Sequence, residues 1–242
     1  MKMIILIGII IMVLTGCEWS SEQAESLTLA LTNSAPTVTE VSVPTVKFAI
    51  GNISLSLPYP KDWESYTTQY GVVLAEYLGS VATEGQLGGI LIHLFVPPLE
   101  GVNLSIADET NRAYDILTEI LAHPDYVGDA TVSAPAPFMW DELDCAYYLM
   151  DNGEGNLTIV IGILDPTSNQ LVTVSVSAPA NEEARIREGL PVLLNDLVIN
   201  NHTLSGAVLE QILPKQLIFP RHSQASLSPP MNRIFAIHPF ML

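Results

Sequence analysis

Basic residues are scarce in this chain: nine lysines and arginines stand against 26 aspartates and glutamates, for a formal net charge of −17. A nucleic-acid surface draws its affinity from basic side chains that displace counterions from phosphates, so no nucleic-acid partner is expected. Direct adsorption to anionic lipid headgroups is disfavoured on the same ground. Catalytic signatures are missing as well. There is no Gly-x-Ser-x-Gly elbow, no His-Glu-x-x-His, no cysteine pair at zinc-ligand spacing and no glycine-rich loop opening a helix. The histidines are scattered at His93, His123, His202, His222 and His238. His93 lies in an apolar strand-like run, where a hydrogen-bonded core histidine is expected rather than a base. The only cysteines are Cys17 and Cys145. Cys145, between Asp144 and Ala146 in an extended run, reads as a small buried residue rather than a nucleophile. The sequence therefore predicts no enzyme and no cofactor.

What is present begins at the N-terminus. Lys2 precedes an apolar run from Met3 to Leu14, broken only by Gly8 and too short for the roughly 20 residues that span a bilayer. Leu14-Thr15-Gly16-Cys17 follows and resembles the lipobox of bacterial lipoprotein precursors. That resemblance implies a leader over residues 1–16, removal of the leader, and a diacylated Cys17 holding the chain to the extracytoplasmic face of a cell membrane. With Cys17 lipidated, Cys145 would have no intramolecular disulfide partner. Residues 17–46, rich in Ser, Thr, Ala and Val with Pro36 and Pro44, read as a flexible stalk reaching roughly 25–35 Å.

Residues 47–204 carry the periodicities of a folded domain. Ile53-Ser54-Leu55-Ser56-Leu57 alternates as a half-buried strand, and Val72 to Leu78 and Leu87 to Val96 read as two more. Ser105 and Asp108 suggest the start of a helix whose Ala113, Ile116, Leu117, Ile120 and Leu121 share one face. Three further strands end in Asp151-Asn152-Gly153 and Asp165-Pro166-Thr167-Ser168-Asn169 turns and form an antiparallel meander up to Ser177. Asn181, Glu182 and Glu183 open a second helix, in which Leu190, Leu193, Leu194, Leu197 and Val198 repeat the same spacing, interrupted by Pro191. Residues 205–242 lack clear periodicity and read as a tail of uncertain structure. The order β-β-β-α-β-β-β-α predicts a single α+β domain, an antiparallel sheet with flanking helices.

Leu57-Pro58-Tyr59-Pro60-Lys61-Asp62-Trp63 resembles the strand-to-loop signature of PsbP-like proteins. The helix carrying Ala113 and Leu117, the hairpin before Val176 and the closing helix after Glu182-Glu183 come in that family's order, over about residues 47 to 204. The resemblance implies an α/β/α sandwich and a non-enzymatic binding or assembly module. No metal-binding or photosystem-contacting residue of that family aligns onto this chain.

Two groups of side chains are the candidate binding residues. Asp141, Glu142 and Asp144, with Asp151 and Glu154 nearby, could offer oxygens to a divalent cation such as calcium, although the spacing is not that of an EF-hand. Trp63, Tyr66 and Trp140 could form an aromatic surface, or plug the ends of the core. The leading functional expectation is a membrane-tethered lipoprotein module that docks on another envelope protein. The alternative is an extracytoplasmic binding protein for a small ligand or divalent cation.

Overall fold

The computed structural model describes residues 43–77, 87–99 and 111–221, all within one compact unit that begins at Ser42. The expected leader, Cys17, most of the stalk, the Ser105/Asp108 helix start and residues 222–242 lie outside the described residues.

The strands form two sheets in which every ladder is antiparallel. In the four-stranded sheet, β1 (Thr45–Ile50) and β2 (Ile53–Pro58) join through a tight turn at Gly51, whose φ of 55° glycine adopts without strain. The alternation read in β2 is real: Ile53, Leu55 and Leu57 are buried, and Ser54 is exposed. The other edge of β2 takes β11 (Leu197–Ile199), which β12 (His202–Leu204) then flanks.

The eight-stranded sheet starts with β3 (Glu64–Thr67), β4 (Gly71–Ala75) and β5 (Leu91–Phe95). It continues through β10 (Gln170–Pro179), β9 (Asn156–Asp165) and β8 (Leu143–Asp151). Two short strands, β6 (Thr131–Val132) and β7 (Ala136–Trp140), share the outer edge of β8.

Strand β9 is buried along its whole length because both faces of the sheet are covered. Leu157, Ile159, Ile161 and Ile163 point one way, into the large core with Val172, Val174 and Val176 of β10 and with Ile92 and Leu94 of β5. Helix α1 (Arg112–Ala122) covers the other face, setting Ala113, Ile116, Leu117 and Ile120 against Ala146, Leu164 and Leu171. Gly162 makes that approach possible: a Cβ there would lie 3.1 Å from Leu117 Cδ1. A short helix, α2 (Pro124–Val127), follows α1. On the large-core side lies α3 (Glu183–Leu193), entered through a 3-10 turn at Ala180–Glu182, with Ile186 and Leu190 buried. The expected sandwich, an antiparallel sheet between helices, is therefore present.

Two expectations are corrected. Leu197 and Val198 do not extend the second helix. The chain leaves α3 at Leu193, turns at Asp196 with φ 60°, and makes β11, where Val198 pairs with Ser56. The reason is a shared residue: Leu197 fits the helical stripe of Leu190, Leu193 and Leu194, but it also alternates with Ile199 as a strand residue does, and β2 has an edge to pair. The domain also does not stop at Leu204. Helix α4 (Gly206–Ile212) packs on α3, and Leu213, Leu217 and Phe219 are buried in the large core. Those contacts are long-range, so no local periodicity announces them.

Candidate functional site

The acidic residues fall into two groups at opposite ends of β8. Asp141 occupies the tight turn between β7 and β8 in a left-handed conformation, φ 54°. Its Oδ2 accepts the Ser205 N–H at 2.9 Å, while the Trp140 Nε1–H donates to the Ser205 carbonyl at 2.8 Å. The β7–β8 turn thus grips both backbone groups of the residue that starts α4. Asp144 Oδ2 accepts the Ala113 N–H at 3.0 Å, satisfying one of the unpaired amides of the first turn of α1 and placing negative charge at the positive end of the helix. Glu142 is exposed in the turn.

Asp151 is at the far end of the strand, roughly 20 Å away at ~3.3 Å per residue. Its Oδ1 accepts the Gly153 N–H at 2.9 Å, and the neighbouring Asn152 Oδ1 accepts from Glu154 N and Asn156 N at 2.9 and 3.1 Å. Glu154 itself is exposed. The two acidic ends do not converge, and among the described residues no three His, Cys, Asp or Glu side chains gather around a position for a metal ion.

The aromatic residues do not share a surface either. Trp140 is fully buried in the large core, anchored by its indole hydrogen bond to Ser205. Trp63 is partly buried against that core, at a turn closed by Trp63 N–H to Pro60 O at 3.0 Å. Tyr66 lies on β3, at the opposite edge of the large sheet from β7, and burial raises its phenol above the usual value. The indole has the most apolar area to remove from water and a donor that finds a carbonyl, which is why Trp140 belongs to the core.

His93 differs from its expectation. It sits across from Val73 of β4 and Ser175 of β10, stacked on Phe95 with ring centroids 4.5 Å apart. Its Nε2 is sealed from solvent with no hydrogen-bond partner, so it is not the satisfied core histidine that its run suggested. Desolvation lowers its pKa from 6.5 to about 4, holding the ring neutral. No signal in the sequence distinguishes the two cases, because the missing partner is a fact about strands β4 and β10.

Cys145 is buried as expected. Burial pushes its thiol well above the usual range, with the charges of Asp144 and Asp141 adding to the effect, so the thiolate needed for nucleophilic attack is disfavoured. Sequence reading also missed Arg185. Its Nη2 reaches Glu76 at the end of β4 at 2.8 Å, its Nη1 pairs with Glu182, and Glu76 Oε2 accepts the Ile90 N–H at 3.1 Å. The Glu182 hydrogen bond first, and the Glu76 pair with it, raise the guanidinium's pKa. This clamp ties α3 to strands β4 and β5.

No family model matches the chain, and no curated protein matches its sequence. Among solved structures, the chain is similar to the cyanobacterial PsbP of Synechocystis, at TM-score 0.42 and 11% identity over 69% of this chain and 97% of that one. It is also similar to LpqN of Mycobacterium tuberculosis, described as involved in cell envelope biogenesis, at TM-score 0.37 and 12% identity over 65% and 91% of the two chains. A third is the Ran-binding protein Mog1p of Saccharomyces cerevisiae, at TM-score 0.34 and 12% identity over 61% and 84%.

Proposed function

We propose that this chain is a non-enzymatic binding module, tethered through a lipidated Cys17 on the extracytoplasmic face of a membrane, that docks on another envelope protein. The observation that carries the reading is how the reactive side chains are employed. Asp141, Asp144 and Asp151 hold backbone amides, Cys145 is held as a buried thiol, and Arg185 clamps α3 to the sheet. Each serves the fold, which suits a module that works by presenting a surface. The Leu14-Thr15-Gly16-Cys17 run supports the tether.

Crosslinking in intact cells, with mass spectrometry of what the full chain captures, tests the docking. One abundant partner of the envelope is expected. Capture no greater than that of an unrelated lipoprotein of equal abundance would overturn it. The tether has its own test: Cys17→Ala abolishes fatty-acid labelling, and a variant that still takes label would sink that half of the reading.

A further inference from the structure

The chain that follows α4 departs from the way the rest of the domain is held. Leu217 and Phe219 are each only 5% exposed, yet Ile218 between them is 81% exposed, so the segment is extended and buries alternate side chains like a strand. It lacks a strand's ladder: among the described residues, no backbone hydrogen bond is made by Lys215 to Arg221. Two side chains of α3 meet it instead, Arg187 where it leaves α4 and Glu183 at its far end. Arg187 Nε donates to Pro214 O at 2.7 Å, and Arg187 Nη2 donates to Glu210 O and Leu213 O at 3.0 and 3.2 Å. At the other end, Arg221 meets Glu183 at 3.8 Å as an exposed ion pair that contributes little. The segment therefore runs back along α3, from Arg187 towards Glu183, and its Leu217 and Phe219 join the large core to which Ile186, Leu190 and Leu209 also belong.

We propose that residues 214–221 are a releasable strap over an apolar groove on α3 and α4, and that the groove accepts an extended segment of a partner protein with the strap's own chemistry. That chemistry is apolar side chains at alternate positions and a cation beyond them to meet Glu183. The fastening is what singles out this segment. Opening it leaves every strand ladder intact and gives up the burial of Leu217 and Phe219 and the Arg187 bond to Pro214 O, so it can open without unfolding either sheet. The partner segment gains what the strap loses: two buried apolar side chains and one carboxylate. The inference rests on the docking reading for its biological use, but its physical content is independent of any cellular partner.

The test uses the full-length chain and a synthetic peptide spanning Pro214–Arg221 with a fluorescent label. A full-length variant carrying Leu217→Ser and Phe219→Ser weakens its own strap and binds the peptide at least tenfold more tightly than the wild type. Arg187→Ala accelerates tryptic cleavage after Lys215 by tenfold or more and leaves hydrogen exchange of the β9 amides unchanged. A folded double variant that binds the peptide no more tightly overturns the proposal, as does loss of its cooperative melting transition, which would make the strap an inseparable part of the core. A wild-type strap cleaved after Lys215 no faster than the whole domain unfolds overturns it as well. Failed crosslinking in cells with successful peptide binding would remove the docking reading and leave the strap.

Discussion

At His93 the fold holds a neutral imidazole where the unfolded chain would hold one that titrates normally. Its folded pKa of about 4 lies below the unfolded value of 6.5, so between those values the unfolded chain binds more protons. This contribution to stability is therefore complete above about pH 6.5 and is lost as pH falls towards about 4. Its full size is about 3 kcal/mol, the shift multiplied by 1.36 kcal/mol per unit. Urea melts at intervals across that window should show this decline for the wild type and a flatter profile for His93→Leu. An unchanged slope in the variant would assign the acid sensitivity elsewhere. Asp144 offers a second measurement. Asp144→Ala removes the acceptor for Ala113 N–H and should destabilise the protein by about 1 kcal/mol, with Asp144→Asn losing less because its amide oxygen can still accept. Thermal melts of the pair check the order. The acidic residues were legible as turn formers, since Asp151-Asn152-Gly153 and the Asp165 turn do what their composition implies; Asn169 N–H closes on Asp165 O at 2.8 Å. Their separation along β8 follows from the same reading, since an extended run between Asp144 and Asp151 puts the two groups at its opposite ends; what was not legible is that Asp141 and Asp144 reach Ser205 and Ala113, which are distant in sequence.

Among the elements, helix α1 and the β8–β9–β10 meander could be read from the sequence, each having a local period or a recognisable turn at its ends. Helix α4 could not. It is too short to establish a stripe, and it owes its place to one close approach: a Cβ on Gly206 would come within 1.8 Å of Pro191 O. Because that obstacle is backbone, Gly206→Ala must push α4 away from α3, and a loss of about 1–3 kcal/mol is expected from such overpacking. Calorimetry of the variant checks this, and a wild-type melting temperature would show that the two helices can separate freely. The misread boundary at Leu197 has a different cause. A run of leucines after Pro191 fits a helix by spacing, and only the unpaired edge of β2 selects the strand. Tertiary pairing outweighed local periodicity at that point.

For the molecule as a whole, the charge of −17 produces self-repulsion that the folded state concentrates. Raising salt from about 0.01 M to about 0.15 M shortens the Debye length from ~30 Å to ~8 Å and should raise the melting temperature by a few degrees. A melting temperature that falls over that range would mean that attractive pairs such as Arg185 with Glu76 outweigh the general repulsion. The sandwich itself was legible because its two helical stripes and alternating strands each demand a buried face. The small sheet was not, since its members come from opposite ends of the domain: Ser56 of β2 pairs with Val198, and Leu55 with Ile199. That pairing sets a schedule. A chain that emerges from the ribosome N-terminus first delivers β2 early and β11 near the end, so the early strand waits, its apolar face unmatched, until nearly all of the domain has been made. Closure is therefore a late, whole-chain event, with the slow kinetics of non-local pairing, and any machinery that moves the polypeptide before release meets it while the sheet is still open.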